Sequence, residues 1–123
     1  MSDDNVVLYR AIIDALVVQC REGEGQVSAR RIQAGLWNEN AEAAEVESEQ
    51  PEQHAMNVLL GSLADEQRDV LAGLFAAEFE SGVYNALRVL EAARVELFLG
   101  DETGMPTDHF LDRMDDGPWP GRS

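Results

Sequence analysis

The chain has 123 residues, an apolar fraction of 45% and a net charge of -15, from 24 Asp and Glu against nine basic residues, every one an Arg. The length sets a prior of one domain, and the apolar content argues against wholesale disorder. Charge of this sign repels nucleic acid and anionic membrane surfaces and favours encounter with basic proteins.

Ser2, Asp3 and Asp4 are set to cap a helix starting near Asn5, with acids at its positive end. Val6, Val7, Leu8, Ile12, Ile13, Leu16, Val17 and Cys20 follow and cover more than half of its circumference. Such a helix is sandwiched between others or turns one side to a partner. A homodimer is therefore expected. Gly23 and Gly25 end the helix after Arg21. The lone Cys20 sits in an apolar setting and reads as a buried thiol.

Ser28 is the expected N-cap of a second helix over 29–37, which carries Arg30, Arg31, Ile32, Leu36 and Trp37. From 38 to 53 the composition turns acidic, with Glu39, Glu42, Glu45, Glu47, Glu49 and Glu52 and no Arg. Alanines favour helix there, but like charges three and four apart oppose it. A helix giving way to a mobile loop near Ser48 is expected. Pro51 then opens a short helix that ends near Gly61.

Two helices, about 64–80 and 82–99, are expected to organise the rest, with Ser62 and Asp65 as a capping box for the first. The first places Val70, Leu71, Leu74, Phe75 and Phe79 on one face, and the second places Val83, Leu87, Leu90 and Leu97. Both fit a 3.6-residue period. Ser81-Gly82 is read as a corner between them. Leu74, Phe75, Leu87 and Leu90 are expected to be the most deeply buried. Beyond Gly100 the tail 100–123 is irregular, apart from a helical turn at about 108–114. Prolines on both sides of Trp119 hold it extended. The whole reads as all-α: a single compact domain of five or six helices around that central pair.

Signals of chemistry are sparse. Asp108, His109 and Asp112 share one helical turn, but a capped, acid-rich turn explains them better than a metal site. No Gly-x-Ser-x-Gly elbow or phosphate-binding glycine loop occurs. No catalytic residue, cofactor or metal ligand is assigned. Acids occupy the place of a basic leader region and no apolar run reaches membrane-spanning length, so a cytoplasmic protein is expected.

The acidic tract is the stronger candidate. On a helix Glu42, Glu45, Glu49 and Glu52 would line one face, a charge about every 5 Å along the axis. A column of that density can imitate a phosphate strand, although Pro51 would kink it. Trp37 and Trp119, lying among acids, are candidate interface anchors, with packing on the fold as the competing role for each. Asp115 and Asp116 would extend the surface.

Two stretches resemble a family of small uncharacterised bacterial helical proteins. One runs from Leu63 to Leu90 through Arg68-Asp69-Val70-Leu71, Glu78, Gly82 and Ala86-Leu87. The other is the ending His109-Phe110-Leu111, Asp115-Asp116 and Pro118-Trp119-Pro120. The resemblance implies a shared fold and no catalytic activity, and the acidic insert 38–53 falls outside it.

The expected function is that of a small acidic binding protein occupying a basic surface of a partner protein. Inhibitors, antitoxins, immunity proteins and phage-encoded antagonists of nucleic-acid-binding defence systems have this size and charge. The expected partner-binding residues are Trp37, Glu39, Glu42, Glu45, Glu49, Glu52, Asp115, Asp116 and Trp119. The alternative is a self-associating structural or regulatory module built on the first helix.

Overall fold

A computed structural model describes residues 2–41 and 50–121, and these are all-α. Helix α1 spans Asp3–Arg21. Ser2 Oγ accepts from the Asn5 backbone N–H at 3.2 Å, which satisfies one of the free donors of the first turn. Its buried stripe is Tyr9, Ile13, Val17 and Cys20, at spacings of four, four and three. Val7, Leu8 and Val18 remain exposed.

A 3-10 turn over Glu24–Gln26 leads into α2, Val27–Ala34. Ser28 lies inside this helix and is not its cap, because the incoming turn already carries the chain into helical geometry at Gln26. Gly35 closes α2 with φ 75°, a left-handed value that glycine adopts without penalty. A Cβ there would also lie 2.5 Å from the Arg68 guanidinium, so the position is doubly restricted.

Helix α3 spans Pro51–Ser62, with Pro51 in its first turn as expected. Helix α4 follows over Asp65–Ala92 and is 28 residues long. The Ser62–Asp65 capping box does not form. Ser62 Oγ donates back to the Leu59 carbonyl at 2.7 Å, and Gln67 Oε1 instead accepts from the Ala64 backbone N–H at 2.9 Å. Nor is there a corner at Ser81-Gly82, because α4 runs through it unbroken. A glycine costs a helix only about 1 kcal/mol. Phe79 and Val83, on either side of the pair, both pack on the same core, and that packing keeps the helix going.

The helix stops near Ala92 and not at 99. Arg94 takes a left-handed φ of 58°, and the Val95 N–H returns to the Leu90 carbonyl at 3.2 Å. A 3-10 turn at Glu96–Phe98 follows, and then α5, Pro106–Met114. Asp108 Oδ2 accepts from the Met105 backbone N–H at 3.0 Å, so this carboxylate caps the start of α5.

The chain divides into two compact units, Met1–Gly23 with Phe79–Ser123, and Glu24–Glu78. The core of the first gathers Tyr9, Ile13, Val17, Cys20, Leu87, Phe98, Phe110 and Trp119. The core of the second is Ala29, Ile32, Leu60 and Ala72, with Trp37, Met56, Leu71 and Phe75 half-buried against it. The expected core is corrected accordingly. Leu87 is buried and Leu90 packs beside it, but Phe75 belongs to the other cluster. Leu74 is 54% exposed and Val70 75% exposed, since the inward face of this part of α4 is Leu71, Ala72 and Phe75.

Candidate functional site

The densest polar chemistry lies in the first unit, where α5 meets α1. His109 is only 3% exposed. Its Nδ1 is 2.6 Å from the Tyr9 hydroxyl and its Nε2 is 2.9 Å from Thr103 Oγ1. Thr103 Oγ1 in turn lies 2.5 Å from Asp101 Oδ1. An ionised carboxylate only accepts, so the threonine proton is spent on Asp101. In the tautomer with the proton on Nε2, Thr103 Oγ1 accepts from that N–H and Nδ1 accepts from the Tyr9 O–H. The four groups form one chain of donors ending on a carboxylate: Tyr9 to His109 to Thr103 to Asp101.

Local sequence explains how the chain is built. Tyr9 belongs to the buried stripe of α1, and His109 lies one turn into α5. Asp101 and Gly104 exchange backbone hydrogen bonds at 3.0 and 3.2 Å, which folds Thr103 back over the ring. A Cβ on Gly104 would come within 3.4 Å of His109 Nε2, and its φ of 146° suits glycine alone.

The electrostatics follow the geometry. Burial, with Asp101, Glu91 and Asp108 adding to it, holds the Tyr9 phenol far above the usual tyrosine range. Thr103 hydrogen bonds hold the Asp101 carboxyl below the usual carboxylate range. Burial also raises the Cys20 thiol. Beside Tyr9, Thr103 and His109 there is a cavity of about 20 Å³. It has room for one water molecule and none for a substrate. What this arrangement can do is fix the direction of each donor and clamp α5 to α1.

Trp119 completes the clamp. It is 4% exposed, with its ring edge-on to Tyr9 at 6.0 Å and to His109 at 5.4 Å. Arg10 and Arg113 lie over the ring at 5.0 and 5.5 Å. Asp14 accepts from Trp119 Nε1 at 3.0 Å and from Arg113 Nε at 2.7 Å. Arg10 also donates to the Pro120 carbonyl at 2.9 Å. Of the two roles the sequence offered Trp119, exposed anchor and packing on the fold, its burial matches the second. Flanking prolines present it extended, and two Arg and an Asp receive it, so it staples the tail.

None of the other expected site residues that are described takes part in this cluster. Asp115 is exposed at the end of α5, and Asp116 pairs with Arg21 at 2.5 Å. Glu42, Glu45 and Glu49 lie outside the described residues. Glu39 is exposed and opens the 3-10 turn Glu39–Ala41, and Glu52 is exposed in the first turn of α3. Trp37 is half-buried, edge-on to Phe75 at 6.0 Å, with the Arg31 guanidinium 5.7 Å from its ring.

Asn57 holds the loop at Trp37 in place. Its Oδ1 accepts from the Trp37 and Asn38 backbone N–H groups at 2.7 and 2.9 Å, and its Nδ2 donates to the Asn38 carbonyl at 2.7 Å. Arg31, Leu36, Trp37, Asn38, Glu39 and Asn40 together line an open cleft of about 350 Å³.

Asp108, His109 and Asp112 do not converge on an ion. Asp108 is the cap of α5, and both ring nitrogens of His109 face hydroxyls. Among the described residues no group of three His, Cys, Asp or Glu could hold a metal, and no helix is long and apolar enough to cross a membrane.

Sequence reasoning missed Tyr9, Thr103, Asp14, Arg113 and Asn57. A signal existed for Tyr9, since the spacing Tyr9, Ile13, Val17, Cys20 marks the inward stripe of α1. None existed for Asp14 and Arg113, which meet across 99 residues, or for Asn57, 20 residues from Trp37, and Thr103 is near its partners in the chain but lies in a stretch without periodicity.

A family model described as a family of unknown function, DUF6547, matches residues 2–123, and the chain belongs to that family. No curated protein and no solved structure matches it.

Proposed function

We propose that this member of the DUF6547 family is a small acidic binding protein that docks on a basic surface of another protein, with Trp37 as its anchor. The observation that carries this reading is the rigid presentation of Trp37. The Asn57 side chain fixes its backbone and that of Asn38, accepting from both N–H groups and donating to the Asn38 carbonyl, while the ring stays half-open beside Arg31 and Glu39. A ring held in place before binding loses little entropy on binding, and Trp and Arg are the side chains that most often dominate interfaces.

In the sequence this anchor is followed by the acidic run Glu39, Glu42, Glu45, Glu49 and Glu52. In a chain of charge -15 that run draws a basic partner in over long range. Binding, and not catalysis, is the role this combination favours, and inhibition of a nucleic-acid-binding protein by charge imitation is its most specific form.

The test starts with a partner captured on the full chain from the native host. Its association rate is then followed against salt for the wild type and for Glu42→Gln, Glu45→Gln and Glu49→Gln combined. The triple change should slow association and flatten the salt dependence, because exposed charges are screened beyond about 8 Å at physiological ionic strength. Unchanged kinetics and an unchanged salt slope would remove the acidic run from the function.

A second reading, self-association through α1, is favoured by its exposed Val7, Leu8 and Val18. The charge opposes it. Sedimentation equilibrium at rising salt decides: a dimer lost on Val7→Ser and Val18→Ser would establish it, and a monomer at every salt concentration would end it.

A further inference from the structure

Helix α4 carries an apolar strip on the side away from its core. Between Glu66 and Glu78 the inward side chains are Leu71, Ala72, Phe75 and Ala76. Val70, Gly73, Leu74 and Ala77 face out, spaced three, one and three residues apart, and all are exposed. Two of these are large, Val70 at 75% and Leu74 at 54%. A helix segment apolar on both sides is the pattern of a helix covered on both sides. Here one side is uncovered.

Gly73 adds an independent oddity. It sits inside an α-helix, where glycine is unfavourable relative to alanine. Nothing in the chain requires it, since a Cβ built there would meet no atom within 4 Å. With Ala77 one turn later it forms a shallow channel alongside the ridge of Val70 and Leu74, the relief that lets another helix approach closely. The charged side chains bordering the strip are Glu66, Asp69 and Glu78, all acidic and all exposed. The nearby cation, Arg68, is turned away: it pairs with Asp65 and reaches the Leu60 carbonyl at 3.4 Å.

From these features we infer that the outer face of α4 over residues 66–78 is a second docking surface, and that its occupant is a basic amphipathic helix of a partner protein. The apolar stripe of that helix lies in the Gly73–Ala77 channel, and its flanking Arg or Lys side chains meet Glu66, Asp69 and Glu78. A second copy of this chain fits less well, because it would bring acids against the same acids. The inference rests on α4 alone and does not depend on the Trp37 cleft.

The test uses the full chain labelled for amide NMR. The probe is a synthetic helical peptide with a leucine–alanine stripe flanked by arginines, and its control carries glutamates in place of the arginines. The arginine peptide should shift the amides of Val70, Gly73, Leu74 and Ala77, and the control should not. Gly73→Ala should raise the melting temperature by a few degrees and weaken peptide binding by about tenfold or more. Fold loss is thereby separated from binding loss.

Shifts confined to Leu36–Asn40, or spread evenly over exposed acids, would overturn the inference, the first of these while leaving the Trp37 reading intact. So would an affinity unchanged by Gly73→Ala. Concentration-dependent shifts of the same four amides without peptide, together with a dimer mass, would assign the face to a second copy and overturn it too.

Discussion

The two units use their polar side chains in opposite ways. In the first, Tyr9, His109, Thr103, Asp101, Asp14, Arg10 and Arg113 are spent on one another and on Trp119. In the second, a core of one Ile, one Leu and two Ala carries little of that kind, and Asn57 spends its amide on presenting Trp37. Directional bonds in a dry setting specify one arrangement and penalise every other. A thin aliphatic core specifies less and tolerates more. The lesson is that the densest polar cluster of the first unit is spent on its own packing, and that the partner surface proposed above stands on the simpler unit.

The contrast can be broken by substitution. Phe110 is fully buried at the centre of the first core, and Phe110→Ala should cost about 3–5 kcal/mol in chemical denaturation. A loss below about 1 kcal/mol would mean that this core is not close-packed.

His109→Phe comes next. It keeps a ring between Tyr9 and Trp119 but leaves the Tyr9 hydroxyl with no acceptor, which should cost about 1–3 kcal/mol. Tyr9→Phe in the same background should recover most of the loss, because no donor is then stranded. A double mutant no better than the single would refute the donor order from Tyr9 to Asp101.

A matched pair sharpens the comparison. Ile13 and Ile32 are both fully buried, one in each unit. Ile13→Val and Ile32→Val delete the same methylene, within a usual range of about 0.5–1.5 kcal/mol. Ile13→Val should be the costlier, since rings and their hydrogen bonds resist collapse around the gap. Equal losses would erase the distinction drawn between the cores.

The smallest effect is in acid. Thr103 holds the Asp101 carboxyl below its ordinary range, so its contribution is fully present above the unfolded Asp value and is lost as pH falls through the lower folded value. Thr103→Val should therefore flatten the acid limb of the stability curve while leaving its slope near neutrality alone. An unchanged acid limb would mean that the Thr103 bond does not favour the ionised carboxylate.

Much of the fold was legible in the sequence. The cap at Ser2, the extent of α1, Pro51 at the head of α3 and the all-α class follow from local chemistry. Ser81-Gly82 misled because a local breaker signal competes with packing of Phe79 and Val83, which local reading does not see. Val70 and Leu74 misled for a related reason: α4 is apolar on two sides, so periodicity alone could not choose the inward one. The candidate site was harder. His109 drew notice only as a weak metal ligand, whereas its partner Tyr9 is 100 residues away. Asp14 and Trp119 are 105 apart, and no spacing rule reaches that far. Trp37 and the acidic run stand out by composition alone.

The claim that binding belongs to Trp37 and structure to His109 has one direct test, the dissociation rate of a captured partner from Trp37→Ala and from His109→Phe. Trp37→Ala should speed dissociation by about tenfold or more, as for a buried aromatic anchor. His109→Phe should leave the rate unchanged despite its lower stability. Faster release from His109→Phe, with Trp37→Ala like the wild type, would place the partner on the first unit and contradict this account.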